Sequence, residues 1–283
     1  MPPYLFLNQH IVPSNTPLFS AENRAFRYGD AIFESIAVPN KQIPLWTYHY
    51  ARLQASCAQL YFDLAPIYTA DYLYEQIITL CQLNQLPHAR VRLSIYRNNG
   101  GLYCPTNHEA QILIEANVLS APYWDNNKPI NGLNIGICYS YTKEFSSLSH
   151  LKTSNALPYI LAATEAQQKG WHDAILLNNK AALVESTNAN IWLLQADTLC
   201  TPPLTSGCIA GVMRSYLLSH LPKLPYKIVE KPLSVADLAH TQAMWLSNAT
   251  QGLRWVESCQ VANATYRFSH INLPNLSITT KIV

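Results

Sequence analysis

Residues 149–170 read Ser149-His150-Leu151-Lys152-Thr153-Ser154-Asn155-Ala156-Leu157-Pro158-Tyr159-Ile160-Leu161-Ala162-Ala163-Thr164-Glu165-Ala166-Gln167-Gln168-Lys169-Gly170. Pro158 suits a first helical turn, where its missing N–H is not needed, and Gly170 suits the position after the last turn. The stretch therefore predicts a helix from Pro158 to Lys169. Short apolar runs read as strands on either side, Leu133–Tyr139 before it and Asp173–Leu177 and Ala189–Leu194 after it. A further helix is expected from near Gly211 through His220 to Pro222. Lys152 lies just ahead of the Pro158 helix. A lysine so placed is ordinarily a solvated charge, and it becomes a catalyst only where burial or a neighbouring cation lowers its proton affinity.

Working back towards the N-terminus, β-favouring residues predict strands at Tyr4–Leu7 and, after the turn Tyr28-Gly29-Asp30, at Ala31–Val38. His49–Leu60 has Leu53, Cys57 and Leu60 at helical spacing, and Tyr72–Leu83 repeats the pattern. Arg90–Tyr96 and Gln111–Val118 read as strands parted by the Gly100-Gly101 turn. Ser120–Asn131 holds two prolines among polar turn formers, which makes it the linker. The expected organisation is an N-terminal α+β domain over 1–119, a linker over 120–131 and a larger mixed domain over 132–283.

A net charge of +2, with 13% charged residues and no long run of one sign, gives no electrostatic reason to expect nucleic acid or a membrane surface as partner. A small-molecule substrate fits better. The apolar stretch near the N-terminus is broken by Asn8, Gln9 and His10, unlike a signal peptide, and no run approaches the ~18 apolar residues of a membrane span. The seven cysteines are scattered without a C-x-x-C pair, and the nine histidines form no H-x-x-x-H pair. The expectation is a cytoplasmic protein with no metal site.

Read singly, few residues announce chemistry. Thr205–Gly211 followed by Val212-Met213-Arg214 has the form of a glycine-containing loop opening a helix, where free N–H groups can receive a phosphate. Glu185 closes one apolar strand and precedes another, which suits a polar turn. Arg24, Arg27, Arg52 and Arg97 read as surface or ion-pair arginines. A lysine, a carboxylate, a glycine loop and arginines are the parts that a pyridoxal 5′-phosphate (PLP) site needs.

Taken in order, the stretches Asn23–Glu34 (NRAFRYGDAIFE), His49-Tyr50-Ala51-Arg52-Leu53, Lys152 to Glu165-Ala166, Asp173–Asn178, Glu185 to Asn190-Ile191 and Thr201–Arg214 resemble six blocks of the fold-type IV PLP enzymes. These include branched-chain aminotransferases, D-amino-acid aminotransferases and 4-amino-4-deoxychorismate lyases. The resemblance implies a two-domain, mixed α+β fold like that of the D-amino-acid aminotransferases. By it Lys152 is the Schiff-base lysine and catalytic residue, Glu185 pairs with the pyridine nitrogen, and Arg52 with Ile209 and Ala210 holds the phosphate. It further implies a homodimer.

Ser247-Asn248-Ala249-Thr250-Gln251-Gly252-Leu253 is similar to a stretch of the lyases, making Asn248 and Ala249 cofactor contacts, with Phe33 and Arg97 on the substrate. The R-x-H carboxylate trap of D-amino-acid aminotransferases is absent, because Arg97 is followed by Asn98-Asn99-Gly100, and the Gly-Asn-Tyr segment of branched-chain enzymes is missing after Lys152. The chain also departs from the lyases, carrying Leu102-Tyr103 where many have an arginine after the paired glycines; Arg97 or Arg254 would then meet a substrate carboxylate. The implied activity is lyase-like, expelling pyruvate from aminodeoxychorismate to leave 4-aminobenzoate for folate biosynthesis. The alternative is a class IV aminotransferase acting between a branched-chain or D-amino acid and a 2-oxo acid.

Overall fold

The computed structural model describes residues 3–119, 131–220 and 226–271, and the chain packs as two units. The first contains strands β1 (Tyr4–Leu7) and β2 (His10–Pro13), helix α1 (Arg24–Tyr28), β3 (Ala31–Pro39), helices α2 (Trp46–Gln59) and α3 (Ala70–Leu83), and strands β4 (His88–Arg97) and β5 (Ala110–Val118). The strands form an antiparallel sheet in the order β2-β1-β5-β4-β3. Leu53 and Cys57 of α2 and Leu73, Ile77 and Leu80 of α3 recur at helical spacing, so each helix turns one apolar stripe onto Ile36, Val91, Leu93, Ile112 and Ile114. Truncating one of these, as in Leu93→Ala, is expected to cost about 2–5 kcal/mol. The short α1 escapes periodicity because it has five residues; Asn23 caps its start and Gly29, at φ 65°, ends it. A side chain at Gly29 would collide with Asn155 Oδ1.

The second unit contains β6 (Leu133–Thr142), α4 (Leu157–Gln168), β7 (Asp173–Leu177), β8 (Ala182–Ser186), β9 (Asn190–Gln195), β10 (Thr198–Thr201), α5 (Val212–His220), β11 (Lys227–Glu230), β12 (Leu233–Ser234), β13 (Ala243–Asn248), β14 (Gly252–Val261) and β15 (Ala264–Arg267). Its mixed sheet runs β11-β10-β9-β13-β14-β6-β7-β8-β12, with β15 paired to β14 and parallel pairs at β14/β6, β6/β7 and β10/β11. β7 is buried along its whole length, as its unbroken apolar run requires. Ala162 and Ala166 of α4, one turn apart, pack on Cys138, Ala174 and Leu176. The helix has Pro158 in its first turn, as the sequence predicts.

The short segment Lys152–Asn155 differs from the sequence expectation, which placed it within the C-terminal domain. It groups with the first unit. β3 is the edge of its sheet, and an edge offers unpaired backbone groups. Phe33 N–H donates to Lys152 O (3.0 Å), Ser154 N–H donates to Ala31 O (2.9 Å), and Ile32 bridges Thr153. Most of the expected linker lies outside the described residues, as do Leu221 and Pro222. Among the described residues no helix is long and apolar enough to cross a membrane, and all seven cysteines are free thiols.

Candidate functional site

In the first unit, strand alternation along β3 turns Glu34 inward and leaves Phe33 half-buried. Glu34 is 3% exposed. His49 and Arg52 stand three residues apart on α2, hence on one face, and both reach it. Arg52 grips the carboxylate with two prongs, Nε to Oε1 at 2.8 Å and Nη2 to Oε2 at 2.6 Å, while His49 Nδ1 lies 2.6 Å from Oε2. Burial would raise the Glu34 carboxyl, but the Arg52 charge and the His49 and Arg52 hydrogen bonds outweigh it and hold the group at about 2. Burial pushes His49 below its usual value against the pull of Glu34, so a neutral imidazole donates from Nδ1.

The β3 edge also places Lys152. Its Nζ stands 4.4 Å from the centre of the Phe33 ring, and the Arg92 guanidinium stands 3.7 Å from the same ring. The Lys152 charge is close enough to depress His49 further. Three of the residues picked out by sequence, Phe33, Arg52 and Lys152, thus belong to one cluster organised by Glu34 and His49.

Arg97 is a correction. The substrate role expected for it requires an available guanidinium, but Arg97 is buried and fully engaged: Nε with Asp30 Oδ2 at 2.9 Å, Nη1 with Tyr61 O at 2.9 Å and His108 Nδ1 at 2.8 Å, and Nη2 with Leu60 O at 2.7 Å. Arg24 shares Asp30 and holds the carbonyls of Gly100 and Leu102, leaving the Leu102 and Tyr103 side chains 74% and 89% exposed. Arg24 braces the loop, while Arg97 ties Asp30, Leu60, Tyr61 and His108 together.

In the second unit, Glu185 on β8 is likewise 3% exposed. The Tyr159 hydroxyl, from the first turn of α4, donates to its Oε1 at 2.7 Å, and Ile209 N–H donates to both oxygens at 3.0 and 3.1 Å. Lys143 Nζ lies 3.5 Å from Oε1. Burial, then the Glu185 charge and hydrogen bond, raise Tyr159 far above the ordinary phenol range, so it remains a donor. Sequence reasoning missed Tyr159 and Lys143 as site residues; Tyr159 could have been suspected from its place in the first turn after Lys152.

The phosphate loop also needs correcting. Ile209 N–H is committed to Glu185, and Ala210 N–H donates to His150 O at 3.0 Å. The donors left over lie three residues later, where α5 begins. The N–H groups of Val212, Met213 and Arg214 have no partner among the described residues, although these residues are buried. Helix geometry orphans them and the dipole favours an anion there. Gly211 permits the approach, because a Cβ there would strike Asn190 Oδ1, whose amide nitrogen in turn donates to Ile209 O at 3.0 Å.

Asn248 builds the β13–β14 hairpin. Its Oδ1 accepts from Thr250 N–H (3.1 Å), the Thr250 hydroxyl (3.1 Å) and Gln251 N–H (2.8 Å), and its Nδ2 donates to Asn188 Oδ1 (3.1 Å) and Gln251 Oε1 (3.3 Å), so both ends of this side chain have protein partners. Ala249, at the hairpin tip, has an N–H without a partner among the described residues. A polar cavity of about 140 Å³, open to solvent, adjoins this hairpin and is lined by His172, Asp173, Asn188 and Arg254.

The residues present fit PLP. A primary amine lies beside an aromatic face, a guanidinium is fixed by a carboxylate, a further buried carboxylate is surrounded by donors, and buried N–H groups at a helix start lack an acceptor among the described residues.

The pattern of the family described as amino-transferase class IV matches residues 31–259. The aminodeoxychorismate lyase of Vibrio harveyi is 26% identical over 235 residues, covering 82% of this chain and 83% of that protein. Among solved structures, the branched-chain amino acid aminotransferase of Escherichia coli superposes with a TM-score of 0.83 at 20% identity, covering 95% of this chain and 91% of that one. The 4-amino-4-deoxychorismate lyase of Pseudomonas aeruginosa superposes with a TM-score of 0.78 at 23% identity, covering 94% of each. Both likenesses establish the fold-type IV architecture.

Proposed function

Because the chain belongs to the class IV amino-transferase family and is a PLP-dependent enzyme, we propose that it is a lyase of the aminodeoxychorismate type, releasing pyruvate and 4-aminobenzoate. The inward commitment of Arg97 carries this reading. An aminotransferase must grip a carboxylate on the carbon that bears the reacting amine. The amine of aminodeoxychorismate sits on a ring carbon that carries no carboxylate, so a cation at that place is not required. Phe33, half-buried and stacked by the Arg92 guanidinium, places an aromatic ring beside Lys152.

PLP supplies an electron sink that acidifies the C–H bond beside a bound amine. In this reading Lys152 would hold the cofactor covalently until the substrate amine displaces it, and its freed Nζ would then take the proton from the amine-bearing carbon as the ring C–O bond breaks and enolpyruvate leaves. Glu185 would partner the ring nitrogen. Arg52, oriented by Glu34, and the N–H groups of Val212 and Met213 hold the phosphate. The Ala249 N–H is a further donor for the same anion.

The aminotransferase reading keeps one support, the similarity in fold to branched-chain enzymes. An amino acid alone separates the two. A lyase keeps its visible cofactor band with L- or D-amino acids and forms 4-aminobenzoate and pyruvate in equal amounts from aminodeoxychorismate. Bleaching of the band by an amino acid, with pyridoxamine phosphate recovered and no 4-aminobenzoate formed, overturns the lyase assignment. A homodimer is part of the same proposal, for which the exposed Phe26, Leu102 and Tyr103 supply apolar side chains; a one-chain mass by light scattering at micromolar concentration contradicts it.

A further inference from the structure

Lys143 follows β6 directly, and its backbone N–H is held by Leu177 O at 2.9 Å. The side chain is only 12% exposed. Its ammonium donates to Gly207 O at 2.7 Å and Ser149 O at 2.9 Å, and it lies 3.5 Å from Glu185 Oε1 and 5.4 Å from the centre of the Tyr159 ring. Gly207, at φ 106°, lets the chain turn its carbonyl toward the ammonium. A buried cation is retained only where a carboxylate and further acceptors surround it. The two carbonyls take two of its protons and Glu185 is the anion beside the third.

We propose that Lys143 is a positioning residue that keeps Glu185 ionised, so that the proton shared between Glu185 and the cofactor's ring nitrogen rests on the ring. The inference rests on reading Glu185 as the partner of that nitrogen. Where a carboxylate and a pyridine share one proton in a poorly solvated place, the charged arrangement competes with a neutral one. A fixed cation nearer the carboxylate than the ring stabilises the charged arrangement. The Tyr159 hydroxyl acts in the same direction by donating to the same oxygen. The ring then remains an effective electron acceptor, which ties a loop lysine to the chemistry without contact with the substrate.

A purely structural role would have Lys143 only tying the Ser149 and Gly207 carbonyls together. Two variants separate the roles: Lys143→Gln keeps a donor and removes the charge, and Lys143→Arg keeps the charge. The holoenzyme is prepared with PLP labelled with ¹⁵N in the ring, and the ring-nitrogen resonance is recorded alongside kcat and KM. Lys143→Gln is expected to move the resonance towards that of unprotonated pyridine and lower kcat by about tenfold with little change in KM, whereas Lys143→Arg keeps the wild-type resonance. Lys143→Met is a second charge-free variant should the glutamine protein not fold.

Glu185→Gln serves as the reference. If it displaces the resonance while a folded, charge-free Lys143 variant does not, the role of Lys143 is overturned and that of Glu185 stands. If Glu185→Gln itself leaves the resonance in place, the reading of Glu185 fails and the inference falls with it.

Discussion

Two buried carboxylates, Glu34 in the first unit and Glu185 in the second, are equally hidden from solvent but differently partnered. Glu34 is closed by a bidentate guanidinium and an imidazole, an arrangement that fixes the side chains around it. Glu185 is held by a phenol, a backbone N–H, the Asn190 amide and a more distant ammonium, without a bidentate guanidinium clamp. The difference separates a carboxylate that organises from one able to receive a cationic ring. Substitutions that remove one member of each set test this division.

The largest effect is expected outside both carboxylates. Lys152→Ala removes the covalent anchor and the proton carrier together, so turnover should fall by at least about 10³-fold. Borohydride treatment of the wild-type protein should abolish its yellow band and leave pyridoxyl on Lys152 in a peptide map. A tag on Lys143, the ammonium beside Glu185, would reverse the roles given to the two lysines.

Glu34→Gln should show in stability before catalysis. Removing one partner of a buried pair costs about 3–5 kcal/mol, measured as a lower denaturant midpoint. The wild type should also carry an acid limb that this variant lacks. Glu34 is lowered from 4.5 to about 2 by the fold, so its contribution is fully present above 4.5 and is lost as pH falls towards 2. His49, lowered from 6.5, begins a loss in the same direction below that pH. Coincident acid-unfolding curves for wild type and Glu34→Gln would show that the first carboxylate is not a structural clamp.

Glu185→Gln should do the opposite, retaining PLP and fold while kcat drops by about 10²-fold, because a neutral amide no longer favours a protonated ring. Comparable loss of cofactor in Glu34→Gln and Glu185→Gln would erase the distinction. The smallest effect on catalysis belongs to Arg52→Ala, which also unpairs the buried Glu34 and should lower the denaturant midpoint as Glu34→Gln does. Loss of a charge-assisted contact of about 1.5–3 kcal/mol should weaken PLP binding by roughly 10- to 100-fold, recoverable at high cofactor concentration. Equilibrium dialysis reads this directly. Unchanged affinity would confine Arg52 to its partnership with Glu34.

Local pattern was sufficient wherever the determining residues are close in the chain. His49 and Arg52 are one helical turn apart, Pro158 and Gly170 bracket α4, and the apolar run Asp173–Leu177 can only be a buried strand beside it. The ordered blocks that contain Lys152, Glu185 and Arg52 follow from the sequence for the same reason. Tertiary structure decided the pairings made across long separations. It turned Arg97 towards Leu60, Tyr61 and Asp30, gave the Ile209 N–H to Glu185 and so shifted the unused donors to Val212 and Met213, laid Lys152–Asn155 on the edge of β3, and set Lys143 beside Glu185. Periodicity specifies which face of an element is apolar. It does not specify which of several distant acceptors a buried donor will meet, because that choice is fixed only when strand register and loop closure bring them within hydrogen-bond distance.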